Sequence, residues 1–273
     1  MDHRNDPGSL RRVRTRDLSA TSRELVLLAP AGSPVPKFFH RVQNDADRHG
    51  QLISEMQRMR GQIYLKDGAI DPETLIQGRH QLSADGFSWH LLVANRDGEL
   101  CGCSRYREHR DEIDFSKLSV ARSTLADCPN WGHRIRSAVQ SEITISRRLG
   151  YPYVEVGGWA LTEHVRRTTE ALRMALSLYA LGQALGGGVG ISTATARHGS
   201  ASILKGVGGR PLEDRYSQMP SYYDSSYRCE MEILRFYSWA PTLRYASWVS
   251  EMKAHLRNIL VLTAEPLAGI AAL

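Results

Sequence analysis

Apolar side chains recur at helical spacing along FFHRVQNDADRHGQLISEMQRMRGQI, from Phe38 to Ile63, and the period breaks at Asp67-Gly68. This predicts one or two helices ending at that turn. Two strand-like runs follow, FSWHLLVA over 87–94 and ELCGCSRYRE over 99–108, joined by Asn95-Arg96-Asp97-Gly98. Asp-Gly admits a positive φ, so the runs predict a hairpin. Helical spacing returns after Asn130, a residue suited to capping. The stripe Ile135, Ala138, Val139, Glu142, Ser146 and Leu149 then closes at Gly150.

The second half alternates the two periods. YVEVGGWAL over 153–161 predicts a strand, and the helix after it is apolar nearly all round between Ala171 and Leu185, which predicts burial. GVGISTATARH over 188–198 is a further β-rich run, GSASILKGVGG a short helix with a glycine stop, and CEMEILRF over 229–236 a late strand. Strand, helix, strand, helix and strand make an α/β order in which the two strands joined by the buried helix run parallel.

Composition narrows this picture only slightly. The chain has 273 residues and a net charge of +6, which suits phosphate-bearing ligands or an acidic carrier protein as well as nucleic acid. Residues 1–20 hold Arg11, Arg12, Arg14 and Arg16 among Gly, Pro, Asp and Ser without an apolar period, so a flexible basic leader is expected before a single domain over 21–273. No apolar run has the length of a membrane span, and the expectation is a cytoplasmic protein. The cysteines Cys101, Cys103, Cys128 and Cys229 form neither a CxxC pair nor a disulfide framework. Cys101 and Cys103, two apart on a strand, are expected on one face as core residues, and no metal is expected.

Candidate chemistry concentrates in YVEVGGWALTEHVRRTTEALRMAL. A helix N-terminus beside Arg166 and Arg167 reads either as an anion site suited to a pyrophosphate or as a capped helix with Thr168 or Thr169 as the cap. Gly157-Gly158 inside a strand reads as a bulge or a close backbone approach. Glu155 shares a strand face with Gly157 and Trp159, so a carboxylate raised toward neutrality and acting as a base is one reading. A salt bridge to Arg105 or Arg167 is the other. Glu142, which interrupts an apolar stripe, is a second candidate base. His90 and His198 lack a nucleophile partner and read as structural. Tyr222, Tyr223, Tyr227, Phe236, Tyr237 and Trp239 read as core or as the wall of an acyl pocket.

These residues resemble the GNAT superfamily of acyl-CoA N-acyltransferases over roughly residues 52–236. The resemblance implies a mixed α/β sheet with helices on both faces, preceded by a helical N-terminal region that covers the acceptor site. It also implies a bulged strand splayed from its neighbour, with pantetheine along Gly157, Gly158, Trp159 and Leu161. Pyrophosphate would then lie on the turn Arg166, Arg167, Thr168 and Thr169. Thr169 stands where the family has a glycine, and Leu204 where it often has a general-acid tyrosine. Within the superfamily the chain is similar to the acyl-homoserine-lactone synthases and long-chain N-acyl amino acid synthases. That similarity makes Arg60, Tyr64 and Arg105 acceptor contacts and Glu155 the acid of their E-x-S-R-F motif, with Gly157 and Gly158 replacing its serine and arginine.

The implied activity is transfer of an acyl group from acyl-CoA or an acyl carrier protein to the amine of an amino acid or similar small metabolite. Backbone amides near Gly157 to Trp159 would polarise the thioester. The alternative is a catalytically inactive GNAT-fold module that binds a protein or RNA. No basic stripe with interleaved aromatics is present to favour nucleic acid.

Overall fold

The computed structural model describes residues 23–109 and 113–264, so the expected leader lies outside the described residues. Ten strands are formed among them: β1 Glu24–Leu28, β2 Arg41–Asn44, β3 Trp89–Ala94, β4 Leu100–His109, β5 Tyr153–Leu161, β6 Val189–Thr195, β7 Arg210–Pro211, β8 Tyr222–Asp224, β9 Cys229–Tyr237 and β10 Leu260–Thr263. The helices are α1 Ala46–Lys66, α2 Gly132–Leu149, α3 Glu163–Arg166, α4 Glu170–Ala184, α5 Ser200–Val207 and α6 Leu243–Leu256. The strands make one mixed sheet in the order β2-β10-β1-β3-β4-β5-β6-β9-β7, with β8 also on β9. As expected, β5 and β6 are parallel, and α4 joins them.

Side-chain alternation sends each strand's apolar groups to two cores. On one face, Leu27, Leu91 and Val93 meet α4 and α6 through Met174, Leu178, Val249 and Met252. On the other face, α1 covers Leu28, Leu92 and Cys103 with Met56, Met59 and Ile63. Farther along that face, α2 covers Tyr153, Ile191 and Ile233 with Ile135, Val139 and Ile143. Each fully buried leucine or isoleucine contributes about 2 kcal/mol of transfer free energy. The nearly all-round apolar α4 is buried on most of its length, as its sequence requires.

Three local expectations change. The helix begins at Ala46 rather than near Phe38, because Asp45 accepts the Arg48 amide at 2.9 Å and caps it there. Residues 41–44, all exposed, instead form β2 at the sheet edge, parallel to β10. Asn130 does not cap α2: the chain turns tightly as the Gly132 amide donates to Cys128 O at 2.8 Å, and the helix starts from Trp131 without a side-chain cap. Cys101 and Cys103 face opposite cores, since a bulge opposite Val93 and Ala94 breaks the alternation at Cys101.

One charged pair is built into the core beneath α1. Arg60 is fully buried and donates to both carboxylate oxygens of Asp85, at 2.7 and 3.1 Å, and to His80 O at 2.5 Å. Gln57 adds a bond to Asp85 at 2.9 Å. Removing either partner would leave a desolvated charge without compensation.

Candidate active site

The site grows from an irregularity in β5. Across the β4–β5 ladder Cys103 faces Ala160 and Arg105 faces Gly157, so three steps on β5 match two on β4. The extra residue is accommodated at Gly158, whose φ of +62 lies in the left-handed region that favours glycine. A Cβ there would sit 3.3 Å from Cβ of Arg105 and 3.5 Å from Nη1 of Arg60. On its other side β5 pairs with β6 only from Tyr153 to Glu155, against Val189 to Ile191. Beyond that point the strands splay, and the edge of β5 from Val156 to Leu161 has no β6 partner. The glycine pair thus marks the bulge that the sequence suggested.

The splay opens a slot through the sheet. On the face that carries α1 and α2 it leads into a cleft of about 680 Å³. On the opposite face, Val156, Ser192 and Leu204 continue from the cleft into a small apolar cavity bounded by Leu178, Tyr179 and Phe236. Leu204, standing where the family often has a tyrosine, contributes no acid to this slot.

Glu155 lines the cleft and is 4% exposed. Its Oε2 accepts from Nε2 of His109 at 2.9 Å and its Oε1 from the Ser119 amide at 2.6 Å. Burial alone would raise this carboxyl, but those hydrogen bonds and the nearby imidazole outweigh it and hold the group below the ordinary glutamate range. The raised carboxyl expected from the sequence is therefore corrected: the partner is His109, neither Arg105 nor Arg167. His109 lies on β4 beyond the registered partner Arg107, so its role depends on pairing that no local pattern reveals.

Arg105 also lines the cleft and is 7% exposed. Its Nε is buried without a hydrogen-bond partner. Burial lowers this guanidinium from its usual value, Glu155 and Asp85 offset part of that, and Arg60 adds to it. An arginine nevertheless stays cationic. Tyr64, at the end of α1, donates to Trp159 O at 3.2 Å and borders the cleft with Tyr227. Arg60 lines no part of the cleft. It stands behind Gly158 and is paired with Asp85, apart from the cleft wall where an acceptor contact was expected.

Glu142 is likewise outside the cleft. It sits in a buried group with Arg235 at 3.7 Å and Tyr237 at 3.4 Å, where burial raises its carboxyl against the pull of both. The second candidate base thus does not line the slot. Of the expected acyl-pocket aromatics, Tyr222 and Tyr227 border the cleft and Phe236 the apolar cavity. Tyr237 and Trp239 stack on each other away from it, and Tyr223 is exposed.

Past Leu161 the chain forms α3 and the turn into α4. Arg166 makes a bidentate pair with Asp67 at 2.6 and 2.8 Å and donates to Leu161 O at 2.8 Å. Its Nη1 also lies 2.7 Å from His198. Arg167 is exposed and has no ion pair among the described residues. Thr168 donates to Val165 O and its hydroxyl accepts the Glu170 amide at 3.2 Å. Thr169 has φ −71 and ψ −6, a right-handed conformation that needs no glycine, so this departure from the family pattern is accommodated. His90 is structural, its Nε2 donating to Asp85 O at 2.8 Å. No cluster of three or more His, Cys, Asp and Glu with metal-binding geometry occurs among the described residues. No helix among them is long and apolar enough to cross a membrane.

A mixed sheet with a bulged strand splayed from its parallel neighbour and helices on both faces is the GNAT-like fold that the sequence led one to expect. A solved structure of a CoA-dependent acyl-homoserine lactone synthase, BjaI, with SAM and isopentyl-CoA, shares this fold at a TM-score of 0.51 and 12% identity, over 89% of this chain and 94% of that one. The acyl-homoserine lactone synthase LasI matches at 0.44 and 16% identity over 69% and 84%. FeeM, an N-acyl amino acid synthase from uncultured soil microbes, matches at 0.46 and 12% over 80% and 93%. No family model matches the chain, and no curated protein matches it by sequence.

Proposed function

We propose that this protein is an N-acyltransferase that moves an acyl group from acyl-CoA or an acyl carrier protein to the amine of an amino acid or similar small metabolite. The observation that carries the reading is the slot between β5 and β6, which joins a polar cleft holding Glu155 and Arg105 to an apolar cavity. Such a slot fits a linear thioester whose pantetheine arm hydrogen-bonds β5 between Gly157 and Leu161, where β6 no longer pairs with it. The exposed Arg167 and the turn into α4 suit its phosphates.

In this reading the Glu155 carboxylate, ionised at neutral pH, takes the proton of the incoming amine directly or through a water. His109 and the Ser119 amide fix the carboxylate's position. Arg105 binds the acceptor's carboxylate and sets the amine toward the slot. Amide formation then breaks the C–S bond, and the pantetheine thiolate leaves and takes a proton. Residues 157–159 supply the amides nearest the polarised carbonyl. The BjaI structure, described as CoA-dependent and holding isopentyl-CoA, supports a CoA donor by analogy of fold.

A catalytically inactive binding module is the second reading, favoured by Leu204 and by the engagement of Arg166 with Asp67. Release of free thiol from acyl-CoA or acyl carrier protein, dependent on an added amine, separates the two. Thermal stabilisation by these donors without amine-dependent thiol release would support the module.

A further inference from the structure

The cleft is lined by more cations than its own acids can balance. Arg105 and Arg107 alternate onto the same face of β4, and Lys117 and Arg122 flank Ser119, whose amide is bonded to Glu155. None of the four has a salt bridge among the described residues, while Arg105, nine-tenths buried, lines this cleft and its Nε has no hydrogen-bond partner. The lining acids are Glu155 and Asp224. Both are already satisfied: Glu155 by His109 and Ser119, and Asp224 by the Ser226 and Tyr227 amides at 3.0 and 3.1 Å. Four cations against two acids leave a formal charge of +2 in a cleft with protein walls on most sides.

We propose that the acceptor is a dianionic amine, carrying one carboxylate for Arg105 and a second carboxylate or phosphate for Arg107, Lys117 and Arg122. This rests on the transferase reading and names the substrate class it would serve. The reacting amine must be uncharged when it attacks, so it adds no positive charge, and a monoanionic amino acid would leave about one cation uncompensated. The donor's phosphates are an inferior explanation, since the turn at Arg167 lies past the end of β5 and borders no part of this cleft. Depth separates the two anion positions: Arg105 is buried beside Gly157, whereas Lys117 and Arg122 are exposed at the rim.

The test uses the full chain with an acyl-CoA donor and four amines: aspartate and O-phosphoserine with two anionic groups each, the phosphate itself carrying between about one and two charges, and alanine and serine with one anionic group. Thiol release gives kcat/KM, and thermal shifts with each amine alone give binding without chemistry. The expected result is a preference of about tenfold or more for a dianion, the ratio that one lost charge contact of ordinary strength produces. Aspartate preferred over phosphoserine would make the second anion a carboxylate, and the reverse a phosphate. Lys117→Ala with Arg122→Ala should raise the dianion KM and cut the preference to about threefold or less. Arg122→Lys should keep most of it.

Thiol release with equal kcat/KM for both classes overturns the charge proposal and leaves the transferase reading standing. The same holds if the preference survives in the double variant. A thermal shift specific to dianions without thiol release from any amine does the reverse. Neither shift nor release overturns both.

Discussion

His109 Nε2 and Glu155 Oε2 approach to 2.9 Å between adjacent strands, both side chains almost wholly buried. This contact and the Ser119 amide, rather than an arginine, hold the carboxylate below the ordinary glutamate range against the effect of burial. Glu155→Gln preserves the shape and removes the base, so the acyl-transfer rate should fall roughly a hundredfold or more with donor binding nearly intact. Single-turnover rates beside a donor-binding isotherm check this, and a wild-type rate across the pH range would remove Glu155 from the chemistry.

With Glu155 as the proposed base, His109 positions it, and the signature is a pH limb. A base held below the ordinary glutamate range is lost only as pH falls through that depressed value, so the acid limb of the wild-type rate should lie at low pH. In His109→Ala the balancing hydrogen bond is gone, burial dominates, and the limb should move to higher pH. An unmoved limb with a reduced rate would assign His109 a purely structural part.

At Gly158 a methyl group would meet Arg105 in a backbone conformation with φ of +62. Gly158→Ala should therefore cost about 1–2 kcal/mol of stability. It should also raise the acceptor KM by displacing Arg105. Denaturant unfolding and acceptor titrations measure the two effects, and a neutral outcome in both would deny the bulge its role.

The parts of this arrangement that could be read from sequence are those with local causes. The glycine pair predicts a bulge because a strand seldom tolerates it otherwise, and the apolar circumference of α4 predicts burial without knowledge of its neighbours. The β3–β4 hairpin announces itself through Asp97-Gly98. By contrast, β2 is exposed at all four positions and exists because β10 lies beside it. His109 gains its meaning from register, and Arg60 resembles an acceptor contact until Asp85, distant in sequence, is seen to neutralise it.

His90 links acidity to stability. Burial, with a smaller contribution from the nearby arginines, lowers its pKa from 6.5 to about 4, and its contacts with Asp85 oppose that shift. Between those values the unfolded chain binds a proton that the native chain refuses, so stability should decline as pH falls from about 6.5 toward 4. The loss attributable to His90 is up to about 3 kcal/mol. Urea midpoints for wild type and His90→Gln over this range should converge at the acid end, and parallel curves would contradict the assignment.

The turn proposed to hold the donor's phosphates presents two arginines in different surroundings. Arg167 is exposed and has no ion pair among the described residues, so Arg167→Ala should raise the donor KM several-fold with little change in the saturated rate. Arg166→Ala should instead lower thermal stability by releasing Asp67. An unchanged donor KM in Arg167→Ala would move the phosphate site elsewhere.

The position of β10 between β2 and β1 has a bearing on how the protein is made. The strands nearest the N-terminus are held together by the last strand described, with Val26 beside Leu260 and Arg41 on its other flank. A ribosome therefore releases β1 and β2 long before the strand that joins them exists. Until then β2 has no neighbour and one edge of β1 stays open, inviting pairing with another chain. Removal of β10 is therefore expected to cost β2 its neighbour and leave an edge of β1 open.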